Sequence, residues 1–279
     1  MWDFNFLQSK SYWAAALMGL ICPIIGRHMV MGRAIMLGLA LPQVSLAGVA
    51  FMFFGAALGW GWCAFFKDDA TRAFAGAMLL TLPALVLLAL PRRRVQLSEG
   101  WLAFVFLAAV SLTNLMLSSN AVGEIYIEDL FHGRLLLISD TAIIFLAVSL
   151  SCAFLLAMAF RRRILLTLTD PDFATVSGLR LTRWNVILAL INGSVVGVSV
   201  ATVGPLVTFG FLILPVLAVA AFARSLHTHL VWAMVFGVIT ATAGFVISYH
   251  YDFPLGDSIV ALGCAGLVII HALRAIFWR

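Results

Sequence analysis

Long apolar runs separated by short polar segments make up most of this 279-residue chain. We place the runs at 11–30, 34–57, 73–91, 101–118, 139–160, 184–203, 205–222, 228–249 and 257–275. Most of them are close to the length of about 20 residues that an α-helix needs to cross a bilayer. Gly204 and Pro205 interrupt the stretch 184–222, which is either two spans or one re-entrant segment. The pattern predicts an all-α, polytopic integral membrane helix bundle with eight or nine spans.

Composition predicts a single transmembrane domain over residues 1–279. Hydrophobic residues make up 63% of the chain and charged residues 10%, whereas ordinary soluble domains have roughly 45–50% and 25%. Lipid must therefore be the main solvent, which leaves no room for a separate soluble catalytic domain. The formal net charge of +5 does not indicate nucleic acid, because the basic residues lie at the ends of apolar runs rather than in one patch. The four cysteines lie far apart in apolar runs, and we interpret them as buried thiols.

Charged residues divide between the two sets of segments that connect the runs. One set, with the C-terminus, holds thirteen of the seventeen basic residues: Arg27, Arg33, Arg92, Arg93, Arg94, Arg161, Arg162, Arg163, Arg180, Arg183, Arg224, Arg274 and Arg279. The other set holds nine of the twelve acidic residues: Asp3, Asp68, Asp69, Glu124, Glu128, Asp129, Asp140, Asp252 and Asp257. Basic residues concentrate in cytoplasmic loops. We therefore predict a multi-pass inner-membrane protein with the N-terminus outside and the C-terminus in the cytoplasm.

The longest polar segment on the arginine-rich side reads LTDPDFATVSGLRLTR, residues 168–183. Asp170 is suited to cap a helix that begins at Pro171, and Asp172 would lie in the first turn, where the helix dipole favours negative charge. Gly178 is suited to end that helix. The segment is either a capped connector or a docking element for a cytoplasmic partner.

The same segment resembles the coupling segment of ABC-importer permeases. Asp172, Ala174 and Gly178 occupy positions one, three and seven, as in the pattern E-A-A-x-x-x-G. Residues 170–226 as a whole are similar to the second half of the zinc and manganese permeases of the ZnuB/MntB type. Shared elements include Val203-Gly204, Leu206-Val207, Leu212-Ile213, Pro215 and Ala218, the stretch SYHYDFPLGDSIV at 248–260, and DLFHGRLLLIS at 129–139.

This resemblance implies the membrane permease subunit of an ATP-driven importer of divalent metal ions, zinc or manganese, working as a homodimer in the lipid bilayer. A pair of cytoplasmic ATPases would dock on the segment 168–183 through Asp170, Asp172, Ala174 and Gly178. A substrate-binding protein outside the membrane would deliver the ion. The sequence contains no GxxxxGK[ST] motif, so ATP would be hydrolysed by the separate ATPase. We expect no enzymatic activity and no bound cofactor in this chain, the metal being its transported substrate.

The second apolar run departs from the pattern of this family. Where the family reads G-D-x-L-S-H, this chain reads GLALPQ, so that Leu39 replaces the aspartate and Gln43 the histidine. A glutamine offers one neutral oxygen, whereas zinc sites gather three or four N, S or O ligands. Gln43, Asn114 and Asn192 are the polar side chains that we predict along the translocation path.

Two other groups of residues are candidate metal ligands. Glu124, Glu128 and His132 would share one face of a helix, because their spacing is i, i+4, i+8. That face could instead dock the delivery protein or simply be solvated. His250, Asp252 and Asp257 lie near another outer loop and are a candidate entry site.

Two alternative functions remain open at this point. An ABC permease of the same architecture could carry a non-metal substrate, which would agree with Leu39 and Gln43. A partner-free secondary transporter would need ionisable residues at mid-membrane, and the predicted spans contain almost none.

Overall fold

A computed structural model describes residues 10–32, 35–61, 65–66, 68–89, 99–118, 139–223 and 225–277. The described helices are α1 (Lys10–Met31), α2 (Ile35–Ala57), α3 (Asp69–Ala89), α4 (Glu99–Ser118), α5 (Asp140–Ala159), α6 (Arg161–Thr169), α7 (Pro171–Val176), α8 (Leu181–Val203), α9 (Pro205–Ala220), α10 (Leu226–Tyr251) and α11 (Leu255–Phe277).

Eight of these helices are long and apolar enough to cross a membrane, namely α1–α5, α8, α10 and α11. The ninth apolar helix, α9, has 16 residues. At 1.5 Å per residue it is about 24 Å long, which is less than the hydrocarbon core of about 30 Å. The prediction of a polytopic α-helical bundle is confirmed, and each predicted span corresponds to one helix.

The helices differ in how deeply they lie in the bundle. The share of buried residues in the apolar window is 72%, 61% and 67% for α1, α2 and α8. It is only 22%, 28% and 11% for α4, α5 and α11. The outer helices turn large apolar side chains outward, such as Leu115, Val148 and Val268. Such a surface is suited to lipid or to another subunit, and not to water.

Glycines bring pairs of helix backbones into direct contact. Gly19 of α1 lies against Gly237 of α10, and Gly48 of α2 lies against Gly76 of α3; a Cβ atom on any of the four would collide with the facing carbonyl group. Small residues permit this close approach between membrane helices. These contacts hold α1 against α10 and α2 against α3.

A single buried residue, Gly204, separates α8 from α9. Its backbone has φ 88° and ψ 168°, a region that is essentially restricted to glycine. The Gly204 carbonyl accepts a hydrogen bond of 2.7 Å from Thr208 Oγ1. Pro205, which has no N–H to satisfy, occupies the first position of α9. The interrupted stretch 184–222 is therefore two helices with a sharp, enclosed joint.

The two ends of the bundle carry opposite charge. The arginine end comprises the end of α1, the connector α6–α7 and the starts of α8 and α10, and it carries Arg27, Arg161, Arg162, Arg163, Arg180 and Arg183. Arg27 Nη1 donates a hydrogen bond of 3.1 Å to the Leu226 carbonyl, which joins α1 to α10 there. At the opposite end Lys10 pairs with Asp140. The charge division predicted from the sequence thus corresponds to two ends of one bundle.

The prediction of buried thiols is correct for Cys22 and wrong for Cys152 and Cys264, which are exposed. The two exposed cysteines lie on α5 and α11, which are outer helices. Apolar neighbours in the sequence there belong to the outer surface of the bundle and not to its interior. Cys63 lies outside the described residues.

Candidate coupling and translocation site

The short helix α7 begins with a complete N-terminal cap. Asp170 Oδ1 accepts a hydrogen bond of 2.9 Å from the Phe173 N–H. Pro171 occupies the first turn, and Asp172 places its carboxylate near the N-terminus of the helix. These roles confirm the local structure predicted for this segment, since each satisfies or complements the free N–H groups of the first turn.

The same helix is terminated by Gly178, which lies two residues beyond its last residue and has a φ of +79°. The Gly178 N–H donates to the Thr175 carbonyl at 3.0 Å, and the Leu179 N–H donates to the Ala174 carbonyl at 3.0 Å. This pair of bonds is the Schellman motif, and it requires a left-handed residue at the glycine position. A Cβ atom on Gly178 would meet nothing within 4 Å. The constraint at this position is therefore backbone conformation and not space.

The side chains of α7 divide into an anchoring set and a presented set. Ala174 is fully buried, and α7 packs on α6 and on the start of α8. Phe173 and Val176 are 56% and 87% exposed at the polar end of the bundle. Of the predicted docking residues, Asp170, Ala174 and Gly178 thus shape and anchor the helix, and Asp172 is exposed. The apolar surface is carried by Phe173 and Val176, which the motif comparison did not identify.

A groove of about 720 Å³ lies beside α7, lined in part by Leu179, Arg180, Arg183 and Ile187. Arg180 and Arg183 are both exposed. An apolar groove with a basic rim, next to two exposed apolar side chains, is suited to a protein partner that carries acidic residues.

Aromatic contacts join this connector to the transmembrane bundle. The Arg163 guanidinium lies 5.3 Å from the centre of the Trp184 ring, and the Phe160 and Trp184 rings meet edge to face with centroids 5.3 Å apart. Trp184 is buried at the start of α8. These contacts attach the connector to the first turn of α8.

Two of the predicted path residues have buried amide oxygens that form no hydrogen bond with the described residues. Asn192 is 6% exposed. Neither its Oδ1 nor the Oε1 of Gln43 has a hydrogen-bond partner among the described residues, and the same is true of Ser45 Oγ. Buried polar atoms are nearly always hydrogen-bonded in folded proteins. Ser45 lies two residues beyond Gln43, and the sequence analysis did not single it out.

The two amides lie at comparable depth on helices that pack together. Both α2 and α8 run antiparallel to α3, and they contact it at adjacent residues: Gly48 meets Gly76, and Gly197 meets Ala77. Each amide lies five residues before its glycine. At 1.5 Å per residue, both are therefore about 7.5 Å nearer the arginine end than this crossing. Gln43 and Asn192, which are far apart in the sequence, thus lie at the same depth inside the bundle.

Asn114, the third predicted path residue, is exposed on the outer helix α4. Among the described residues, α4 packs mainly against α2, so that Asn114 belongs to the outer surface of the bundle. The structure does not place it beside the two buried amides.

The candidate metal ligands do not form a ready coordination site in the described part of the chain. His250, Asp252 and Asp257 are all exposed around the turn between α10 and α11. No group of three His, Cys, Asp or Glu side chains among the described residues is placed to hold a metal ion. Glu124, Glu128 and His132 lie outside the described residues.

Comparisons with known proteins agree with this architecture. The profile of the family described as "ABC 3 transport family" matches residues 3–274. The "High-affinity zinc uptake system membrane protein ZnuB" of Haemophilus influenzae is 26% identical over 141 residues, 50% of this chain and 53% of that protein. The "Manganese transport system membrane protein MntC" of Halalkalibacterium halodurans is 26% identical over 261 residues, 92% of this chain and 84% of that protein.

Among solved structures, PsaBC from Streptococcus pneumoniae in complex with a Fab superposes with a TM-score of 0.75 at 21% sequence identity. The match covers 96% of this chain and 91% of that one. At this level of identity the likeness establishes a common fold.

Proposed function

The chain belongs to the ABC 3 transport family, whose profile matches residues 3–274, and on that premise we propose that it carries a divalent metal ion, zinc or manganese, as the permease subunit of an ATP-driven importer. The observation that carries the proposal is the capped helix α7, which presents Phe173 and Val176 at the polar end of a membrane bundle. Relatives named for zinc and for manganese transport support a metal as the substrate.

ATP binding and hydrolysis fall to a partner in this proposal, because the sequence contains no GxxxxGK[ST] motif. The importer contains two copies of the chain, and one ATPase docks on α7 of each copy. Closure of the ATPase pair pushes α7. The contact of Arg163 with Trp184 then passes the movement to α8 and on to the joint at Gly204. Sharp joints of this kind let packed helices change their relative orientation as rigid bodies.

In this proposal the chain coordinates the ion only weakly as it passes through. Gln43 and Asn192 offer neutral carbonyl oxygens at one depth, whereas the aspartate and histidine of the family pattern are replaced by Leu39 and Gln43. Carbonyl oxygens suit hard cations such as manganese better than zinc, which prefers nitrogen and sulfur. The separate binding protein then provides most of the selectivity. The ion leaves readily once the inner side opens.

The experiment that tests this function is uptake of radioactive zinc or manganese by cells that lack other importers and that express the chain with its ATPase and binding protein. We expect ATP-dependent uptake of one of the two metals. Gln43→Ala is expected to reduce this uptake only a few-fold. Gln43→Ala with Asn192→Ala is expected to reduce it further, because the path then loses both amide oxygens. Asn114→Ala is the matched control, since it removes an amide on the outer surface.

Absence of uptake of zinc, manganese or iron by the intact complex would refute the metal assignment and favour a non-metal substrate in the same architecture. If Asn114→Ala reduced uptake as much as the double variant, with equal protein levels, the assignment of the path to Gln43 and Asn192 would be wrong.

We also propose that the arginine end faces the cytoplasm, with the N-terminus outside and the C-terminus inside, because cytoplasmic segments are enriched in arginine and lysine. In a cysteine-free background, Asp68→Cys is expected to react with a membrane-impermeant thiol reagent in intact cells, and Arg162→Cys to react only after the cells are opened. Both positions are exposed at opposite ends of the bundle. The reverse labelling pattern would invert the proposed orientation.

A further inference from the structure

A second groove at the arginine end, separate from the one beside α7, combines a basic rim with an apolar wall. It has a volume of about 490 Å³ and lies between α1, α5, α6 and α10. Four of its eleven lining residues are basic or histidine: Arg27, Arg161, Arg162 and His227. The other seven are apolar. Such a division into a charged rim and an apolar wall points to an amphipathic ligand.

The basic rim has no carboxylate partner within the described ranges, where the ion pairs are Lys10–Asp140 and Asp69–Arg72. Arg161 and Arg162 are exposed. Arg27 is 5% exposed and uses Nη1 for the Leu226 carbonyl, while its Nε has no hydrogen-bond partner in the described part of the chain. A buried guanidinium with a free donor is costly unless an acceptor reaches it. The rim is therefore suited to an anion.

The apolar wall lies within the spanning helices and not in the connector. Phe154 and Met158 belong to the last turns of α5, and Val231 and Met234 belong to the first turns of α10. Phe154 and Val231 each lie five residues from the arginine end of their helix, which is about 7.5 Å into the span. The groove thus extends from the charged end to the depth of lipid tails.

We propose that this groove binds an anionic phospholipid. The phosphate of the headgroup lies on Arg161 and Arg162, at the end of the groove that Arg27 also lines. An acyl chain runs along Val231 and Met234. Arginine is suited to phosphate because its planar fork donates two parallel hydrogen bonds, and basic pockets between transmembrane helices are suited to anionic headgroups. The site goes beyond the proposed transport function and requires only that the bundle lies in a membrane.

A lipid fits this groove better than an acidic segment of a soluble partner. Such a segment could pair with the rim, yet it would not reach Phe154 or Val231, which lie within spans. The third arginine of the run, Arg163, points elsewhere and covers the Trp184 ring. The exposed apolar side chains of α7 form a different surface, next to Arg180 and Arg183.

The test measures phospholipid retained by the full-length purified chain, by native mass spectrometry after exchange into equal amounts of phosphatidylglycerol and phosphatidylcholine. Wild type is expected to retain phosphatidylglycerol preferentially. Arg161→Gln with Arg162→Gln is expected to lower this preference about thirtyfold, since each basic residue near the surface contributes about 1 kcal/mol to anionic lipid binding. Arg180→Gln with Arg183→Gln removes the same charge from the same end, outside the groove, and is expected to retain the preference.

The apolar wall is tested without a change in charge. Val231→Trp is expected to fill the groove and lower phosphatidylglycerol retention, whereas Val235→Trp, one turn further along α10, is expected to leave it unchanged. Val231 and Val235 are similarly exposed, at 44% and 40%. Only the first lines the groove. This pair distinguishes a seated acyl chain from attraction of the headgroup alone.

Four outcomes would overturn the proposal. They are equal retention of the two lipids by wild type, equal loss in both arginine pairs, unchanged retention in Val231→Trp, and displacement of the lipid by soluble glycerol phosphate. If Arg161→Gln with Arg162→Gln instead abolished association with the ATPase while lipid retention stayed constant, the rim would be a protein-docking surface.

Discussion

Replacing Phe173 and Val176 together by alanine is expected to abolish ATP-driven uptake while the amount of chain in the membrane stays normal. Both side chains are exposed on α7, which is held in place by buried Ala174 and by its caps, so the truncations leave the helix intact. Burial of a large apolar side chain in an interface contributes roughly 1.5–3 kcal/mol. Loss of two should weaken ATPase binding by at least about a hundredfold.

A matched control is available on the outer surface of the bundle. Phe104 on α4 and Val148 on α5 are both largely exposed, at 59% and 63%, as Phe173 and Val176 are on α7, at 56% and 87%. Phe104→Ala with Val148→Ala removes the same atoms from the sides of spanning helices and is expected to leave ATPase association and uptake near wild type. Co-purification of the ATPase and metal uptake are the two measurements. Normal co-purification in the α7 variant would show that docking occurs elsewhere.

The second large effect is expected at Gly204. Gly204→Ala places a Cβ on a backbone with φ 88° and ψ 168°, which L-residues with side chains essentially do not adopt. Holding such a residue there costs about 1–3 kcal/mol, or the joint changes shape. In the second case the first turn of α9 also loses the geometry in which Thr208 bonds the Gly204 carbonyl. We expect a lower thermal unfolding temperature in detergent and loss of uptake.

Gly61→Ala is the control for this substitution, because a Cβ atom at Gly61 would meet nothing within 4 Å and its φ is not in the left-handed range. It is expected to leave both the unfolding temperature and uptake unchanged. A Gly204→Ala variant with the unfolding temperature and transport of wild type would mean that the joint tolerates an ordinary residue, and the proposed role of this joint in the conformational change would fail with it.

The existence and approximate limits of the spanning helices follow from the sequence alone, because the bilayer imposes a minimum apolar length on each crossing. The structure was needed to resolve 184–222 into two helices. The caps of α7 could also be predicted, since the bonds of Asp170 to Phe173 and of Leu179 to Ala174 join residues only a few positions apart. The division of charge between the two ends could also be predicted, because it depends on position along the chain and not on packing.

Only the tertiary structure decided which face of each helix lies inside. The interior of a membrane bundle and the lipid around it are both apolar, so a spanning helix shows little periodic pattern that would separate the two faces. Cys152 and Cys264 could for this reason be mistaken for buried residues. The shared depth of Gln43 and Asn192, and the groove that joins Arg27 to Arg161 and Val231, depend on contacts between helices remote in the sequence, which local patterns do not encode.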